Sequence, residues 1–90
     1  MLQTWSIIVT GRVQGVYYRQ STKDKALELG ITGYVKNLPD GNVQILATGT
    51  TSQLNQLVIW CKQGPSRAIV DAVQVETIAP LAFLQFSIQR

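Results

Sequence analysis

Histidine is missing altogether from this chain. That absence removes Ser-His-Asp triads, Cys-His pairs and the usual zinc constellations. There is one cysteine, Cys61, so no internal disulfide forms. Without a histidine to activate it, Cys61 lacks the partner a nucleophile needs. It falls on the apolar face of an expected helix and reads as core. Charge is scarce, at 14% of residues, and the net charge is only +3. The one local excess is Arg12, Arg19, Lys23 and Lys25, partly offset by Asp24 and Glu28. A long polyanion usually demands several phosphate contacts, so this balance fits a small anionic ligand and no nucleic acid. No stretch approaches the roughly 18 apolar residues of a membrane span. The segment Met1-Leu2-Gln3-Thr4-Trp5 has no basic region followed by an apolar run. A soluble cytoplasmic protein with no membrane partner is the expectation.

What the chain does have is apolar content of 46% in 90 residues. That content argues against disorder, and the length suits a single domain spanning residues 1–90. A chain this short buries about 60–65% of its extended surface, so good packing matters.

The stretch that organises the rest is Gly11-Arg12-Val13-Gln14-Gly15-Val16-Tyr17-Tyr18-Arg19. It follows a short apolar strand and leads into an expected helix. Glycine accepts tight or left-handed turns and lets a ligand approach the backbone. A helix start offers unpaired N–H groups that favour an anion. Arg19 stands in or just before the first turn, where a cation is electrostatically misplaced. A bound anion between the two resolves the conflict, and a guanidinium matches phosphate oxygens better than an ammonium does. The stretch therefore reads as a phosphate cradle.

Alternation over Thr4 to Thr10 predicts a strand, with Trp5, Ile7 and Val9 on one face. A helix follows from about Tyr18 to Leu29, with Thr22, Ala26 and Leu29 facing a sheet. Ser21 or Thr22 is one choice of cap, and a start nearer Arg19 is the other. Gly30 is a good stop. Ile31 to Leu38 predicts a second strand, with Gly33, Val35 and Asn37 on one face. Leu38-Pro39-Asp40-Gly41 is a turn signal, and Asn42 to Thr48 completes a hairpin with Val43, Ile45 and Ala47 inward. Thr50, Thr51 or Ser52 caps a second helix to about Gln63, whose stripe is Leu54, Leu57, Val58 and Cys61. Gly64-Pro65 ends it. Ala68 to Glu76 predicts a fourth strand. Val70 and Val73 cannot share a face there in regular alternation, so either a bulge lies near Asp71-Ala72 or one valine faces out. Phe83 to Gln89 predicts a last strand with Leu84, Phe86 and Ile88 on one side. Its place in the sheet is open. The order β-α-β-β-α-β plus a C-terminal strand predicts an α+β, ferredoxin-like sandwich, an antiparallel sheet with two helices on one face.

The wording of two segments carries a family resemblance. G-R-V-Q-G-V-Y-Y-R, from Gly11 to Arg19, is similar to the phosphate-loop signature of the acylphosphatases. G-Y-V-K-N-L-P-D-G, from Gly33 to Gly41, resembles their second signature, and Gly64-Pro65 matches a later glycine-proline. The resemblance covers nearly the whole chain in order. It implies hydrolysis of the carboxyl–phosphate bond of acyl phosphates. It also implies that Arg19 binds the phosphoryl group with the backbone amides of Gln14, Gly15, Val16, Tyr17, Tyr18 and Arg19. Asn37 would position the attacking water. The aromatic before Arg19 is often phenylalanine in that family and is Tyr18 here.

The chemistry of these residues is consistent with that role. An acyl phosphate already carries a weakly basic leaving group, so the protein need only hold oxygens, offset charge and aim water. Asn37 accepts from water and donates elsewhere, but is a poor base. The expected ligands are a small acyl phosphate, with inorganic phosphate or sulfate as competing anion. No cofactor and no metal is expected, because no carboxylate accompanies the first motif. A monomer is the expectation, although a free sheet edge offers a pairing site. The alternative is a non-catalytic regulatory or nucleic-acid-binding module on the same fold. Against the nucleic-acid version, the open face carries Ser6, Ile8, Tyr34, Lys36, Gln44 and Leu46, with only Tyr34 and Phe83 suited to base stacking.

Overall fold

The computed structural model describes residues 1–89. Along the chain run β1 (Gln3–Arg12), α1 (Tyr18–Leu29), β2 (Thr32–Asn37), β3 (Val43–Gly49), α2 (Thr51–Gln63), β4 (Ile69–Ile78) and β5 (Phe86–Gln89). They form one five-stranded sheet in the order β4-β1-β3-β2-β5. The four strands of the split βαβ pair run antiparallel to one another where they pair, as expected. The C-terminal strand joins the free edge of β2 in parallel, making the sheet mixed.

Period-two alternation drives one face of the sheet into the core. Ile7, Val9, Val35, Val43, Ile45 and Ala47 are fully buried there. The helices cover them with Tyr18, Thr22 and Ala26 of α1 and Leu54, Leu57 and Cys61 of α2. Cys61 is completely enclosed and unpaired, the core position its place in the stripe implied. Leu29 and Val58 are only half-buried, packed against the margin of the same cluster.

Local signals account for most boundaries. Thr50 caps α2 by accepting from the Gln53 N–H, and the Gln53 side chain accepts from the Thr50 N–H in return. α1 differs from the cap proposed at Ser21 or Thr22. It begins at Tyr18, in agreement with the alternative start nearer Arg19, and no side chain caps it. Thr22 instead turns its hydroxyl back to the Tyr18 carbonyl at 2.8 Å, the usual way a mid-helix threonine hides its oxygen. Of the two readings of the valine spacing, the bulge is the one found: Thr10 pairs with Ala72 and Gly11 with Val70, so Asp71 is the extra residue.

The last strand is shorter than the alternation suggested. It starts at Phe86, and Leu84 lies outside it, fully exposed. β4 and β5 are opposite edges of the sheet, so the segment between them must cross its end. That crossing is tied down at Leu81. Its N–H donates to the Thr4 hydroxyl at 2.9 Å, and its carbonyl accepts from Thr48 at 2.7 Å. The two buried threonines are thereby satisfied, and the chain around Leu81 is committed to the crossing rather than to the ladder. Phe83 stands edge-on to Tyr34, ring centres 6.0 Å apart. The two open-face aromatics thus pack against each other.

Candidate active site

The strand directions decide where the site lies. β1, β2 and β5 are mutually parallel, so their carboxyl ends meet at one margin of the sheet. The N-terminus of α1 arrives at the same margin. Between β1 and α1 runs the loop from Val13 to Tyr17.

Two residues of that loop are left-handed, Gly15 at φ 73° and Tyr17 at φ 69°. Glycine takes this form freely; tyrosine does so at a cost of about 1–2 kcal/mol. The strain falls on the N-cap of α1, while the Tyr17 side chain is 79% exposed and contributes little packing in return. Backbone folded this way turns successive N–H groups into a concavity suited to an anion. Among the described residues, the N–H groups of Gly15, Val16, Tyr17, Tyr18 and Arg19 find no protein acceptor. Val13, Val16 and Tyr18 meanwhile bury their side chains and pin the loop to the core. Tyr18 is therefore a core residue and Tyr17 a rim residue.

A cleft of about 340 Å³ opens at this point, lined by Val13, Gly15, Tyr17, Tyr18, Arg19, Gln20, Asn37 and Ile88. Arg19 and Asn37, which the sequence leaves far apart, face one space. Arg19 is partly held by β5, its guanidinium donating to the Gln89 carbonyl at 3.4 Å. Asn37 is the last residue of β2 and lies on the helix-facing side, opposite Val43. Its Oδ1 is buried and has no hydrogen-bond partner. A buried acceptor left empty costs roughly 1–3 kcal/mol and calls for an explanation.

The expectation for Gln14 rests mostly on its backbone N–H. Its side chain proves more engaged, for Nε2 donates to the carbonyls of Leu38 at 2.9 Å and Asn42 at 2.8 Å. Ile88 and Gln89 were not anticipated at the site at all. The only sequence signal for them is the apolar alternation of the last strand, which says nothing about its neighbours. Among the described residues, no three of His, Cys, Asp and Glu come close enough together to hold a metal ion. No helix there is long and apolar enough to cross a membrane.

Fold and cleft together define a class: a small ferredoxin-like domain that gathers unpaired amides, one guanidinium and an empty amide oxygen at the end of its sheet. Comparison with known proteins makes the class specific. The sequence profile described as Acylphosphatase matches residues 5–88. An acylphosphatase of Marinobacter nauticus is 53% identical over 77 residues, 86% of this chain and 84% of its own. The acylphosphatase structure from Coxiella burnetii superposes with a TM-score of 0.95 at 36% identity, covering 98% of this chain and 93% of that one. The one from Bacillus subtilis gives 0.94 at 37% identity, covering all of both chains. This chain belongs to the acylphosphatase family.

Proposed function

We propose that this protein hydrolyses the carboxyl–phosphate bond of small acyl phosphates, releasing a carboxylate and inorganic phosphate. The family supports the general activity, and the cleft supports a division of labour within it. The phosphoryl oxygens occupy the concavity of Gln14 to Arg19, held by backbone N–H groups and the Arg19 guanidinium. These donors are fixed before substrate arrives, so charge spreading over the oxygens in transfer meets partners already in place.

Water occupies the other side of the cleft and donates to Asn37 Oδ1. Its oxygen bonds to phosphorus as the bond to the acyl oxygen breaks, and that electron pair leaves on the carboxylate. The water's proton passes to a phosphoryl oxygen of the substrate, since Asn37 is no base. A carboxylate leaving group needs no acid, which suits a cleft whose lining contains no carboxyl side chain. The observation that carries the reading is the empty, buried Asn37 Oδ1 sharing a cleft with Arg19.

The test is hydrolysis of benzoyl phosphate by the purified protein, followed by absorbance. Turnover with competitive inhibition by inorganic phosphate is expected. A protein that leaves benzoyl phosphate, acetyl phosphate and carbamoyl phosphate at their spontaneous rates would refute the proposal.

A further inference from the structure

The side chain of Gln14 spans two parts of the fold that no other described side-chain hydrogen bond connects. Its amide nitrogen reaches the carbonyls of Leu38 and Asn42, the two residues flanking the β2–β3 turn. Each carbonyl already accepts one bond. Leu38 O takes the Gly41 N–H at 3.1 Å, and Asn42 O takes the Leu38 N–H at 2.8 Å. Gln14 supplies the second bond to each, so all four lone pairs are used. The turn is thus closed upon itself and then clamped to the loop.

The position of the clamp matters. Gln14 immediately precedes Gly15, the first left-handed residue of the loop. Leu38 immediately follows Asn37, and Asn42 precedes Val43, the strand partner of Asn37. We propose that Gln14 is a positioning residue, whose side-chain amide clamps the residue 14–19 loop to the β2–β3 turn and so fixes Asn37 relative to Arg19. Its kinetic consequence rests on the hydrolase reading above; the clamp itself does not. Two N–H groups at this reach are the essential chemistry. Glutamate has the same shape but no donor, and would set oxygen against two carbonyl oxygens.

The experiment compares Gln14→Ala and Gln14→Glu with Asp40→Ala. Asp40 accepts from the Asn42 N–H at 3.0 Å and the Asn42 side chain at 3.2 Å, so its loss loosens the same turn while removing neither Gln14 bond. With benzoyl phosphate, both Gln14 variants should lose about 10- to 100-fold in kcat, the effect of small misplacement of a reacting group. Their inhibition constant for inorganic phosphate should stay within about threefold, since the cradle keeps Arg19 and its backbone amides. Asp40→Ala should lower the thermal midpoint yet keep kcat within about twofold. Wild-type kcat in Gln14→Ala, or loss of kcat in Asp40→Ala in step with its stability, overturns the positioning role.

A second readout needs no turnover. In the free protein, nuclear magnetic resonance should show the Asn37 side-chain amide signals shifted or broadened in Gln14→Ala and unmoved in Asp40→Ala. Signals unchanged in Gln14→Ala refute the clamp. If the wild-type protein proves inert towards acyl phosphates, the hydrolase reading falls and this spectrum still decides the clamp.

Discussion

The Tyr18 hydroxyl donates a 2.7 Å hydrogen bond to the backbone carbonyl of Cys61. A continuing helix would give that carbonyl the N–H of the residue four places on, but that residue is Pro65, which has none. Tyr18 replaces the missing donor. The residue next to Arg19 is thereby anchored on α2, and its ring packs 5.5 Å from that of Trp60. Tyr18→Phe should lower the unfolding free energy by about 1–2 kcal/mol, because it orphans a buried carbonyl. Urea denaturation measures this, and an unchanged midpoint would show that the bond adds nothing.

Arg19→Ala should reduce kcat/KM for benzoyl phosphate by about 10²–10³-fold, the usual loss when a fixed donor to developing charge is removed. Inhibition by inorganic phosphate should weaken with it. Arg19→Lys keeps the charge but not the planar fork, so it should recover only part of the activity. Steady-state kinetics of the two variants side by side distinguishes charge from geometry.

Asn37→Ala should behave differently. Turnover should fall about 10²-fold while KM and phosphate inhibition stay near wild type, because in the proposed mechanism the residue aims water and does not hold the anion. The same change deletes a buried acceptor that has no protein partner. The variant should therefore be at least as stable as the wild type by urea denaturation, a gain in stability set against a loss in function. A marked drop in stability would mean that Oδ1 has a structural task instead.

Cys61 and Tyr18 make stability depend on alkaline pH. Burial pushes the Cys61 thiol from 9.0 up to about 12, and burial, then the nearby Cys61, raises Tyr18 well above its ordinary value of 10.0. Both groups keep their protons in the folded state when the unfolded chain has begun to lose them. Stability is therefore fully present below the unfolded pKa values and declines as pH rises from about 9 towards 12. Cys61→Ala should flatten that decline, as measured by denaturation between pH 8 and pH 11. The native thiol should also resist a disulfide reagent until the protein unfolds.

Gly33 lies on β2 opposite Ala47 of β3. Its φ is 141°, and a Cβ there would overlap the Leu46 carbonyl oxygen. The obstacle is backbone, which cannot step aside, so Gly33→Ala should cost more than about 3 kcal/mol or prevent folding. Circular dichroism and urea denaturation would show it.

Much of this was legible in the residues themselves. The period-two faces of β1 to β3, the stripe Leu54-Leu57-Cys61 and the Thr50 cap arise from neighbours in sequence, and local sterics and burial decide them. The Val70–Val73 spacing narrowed β4 to a bulge or an outward valine, and pairing with β1 chose the bulge at Asp71. Other features were not readable, for identifiable reasons. Phe83 to Ile88 alternates like a strand, yet its first half is taken by the Leu81 crossing, a matter of where β4 and β5 end up. Ser21 and Thr22 are good caps by type, but the strained Tyr17 starts the helix earlier. The side-chain bonds of Gln14 carried no sequence signal, because both acceptors lie on a turn more than twenty residues away.

By itself, the sequence determined most of the elements, their order and the helix-facing side of each strand. Each of those follows from spacing and side-chain chemistry within a few residues. Tertiary structure alone decided that Arg19 and Asn37 share a cleft, that β5 adds in parallel to supply Ile88 and Gln89, and that Gln14 clamps loop to turn. These are meetings of segments distant in the chain. They exist only once burial of the common core has brought three strand ends to one margin of the sheet.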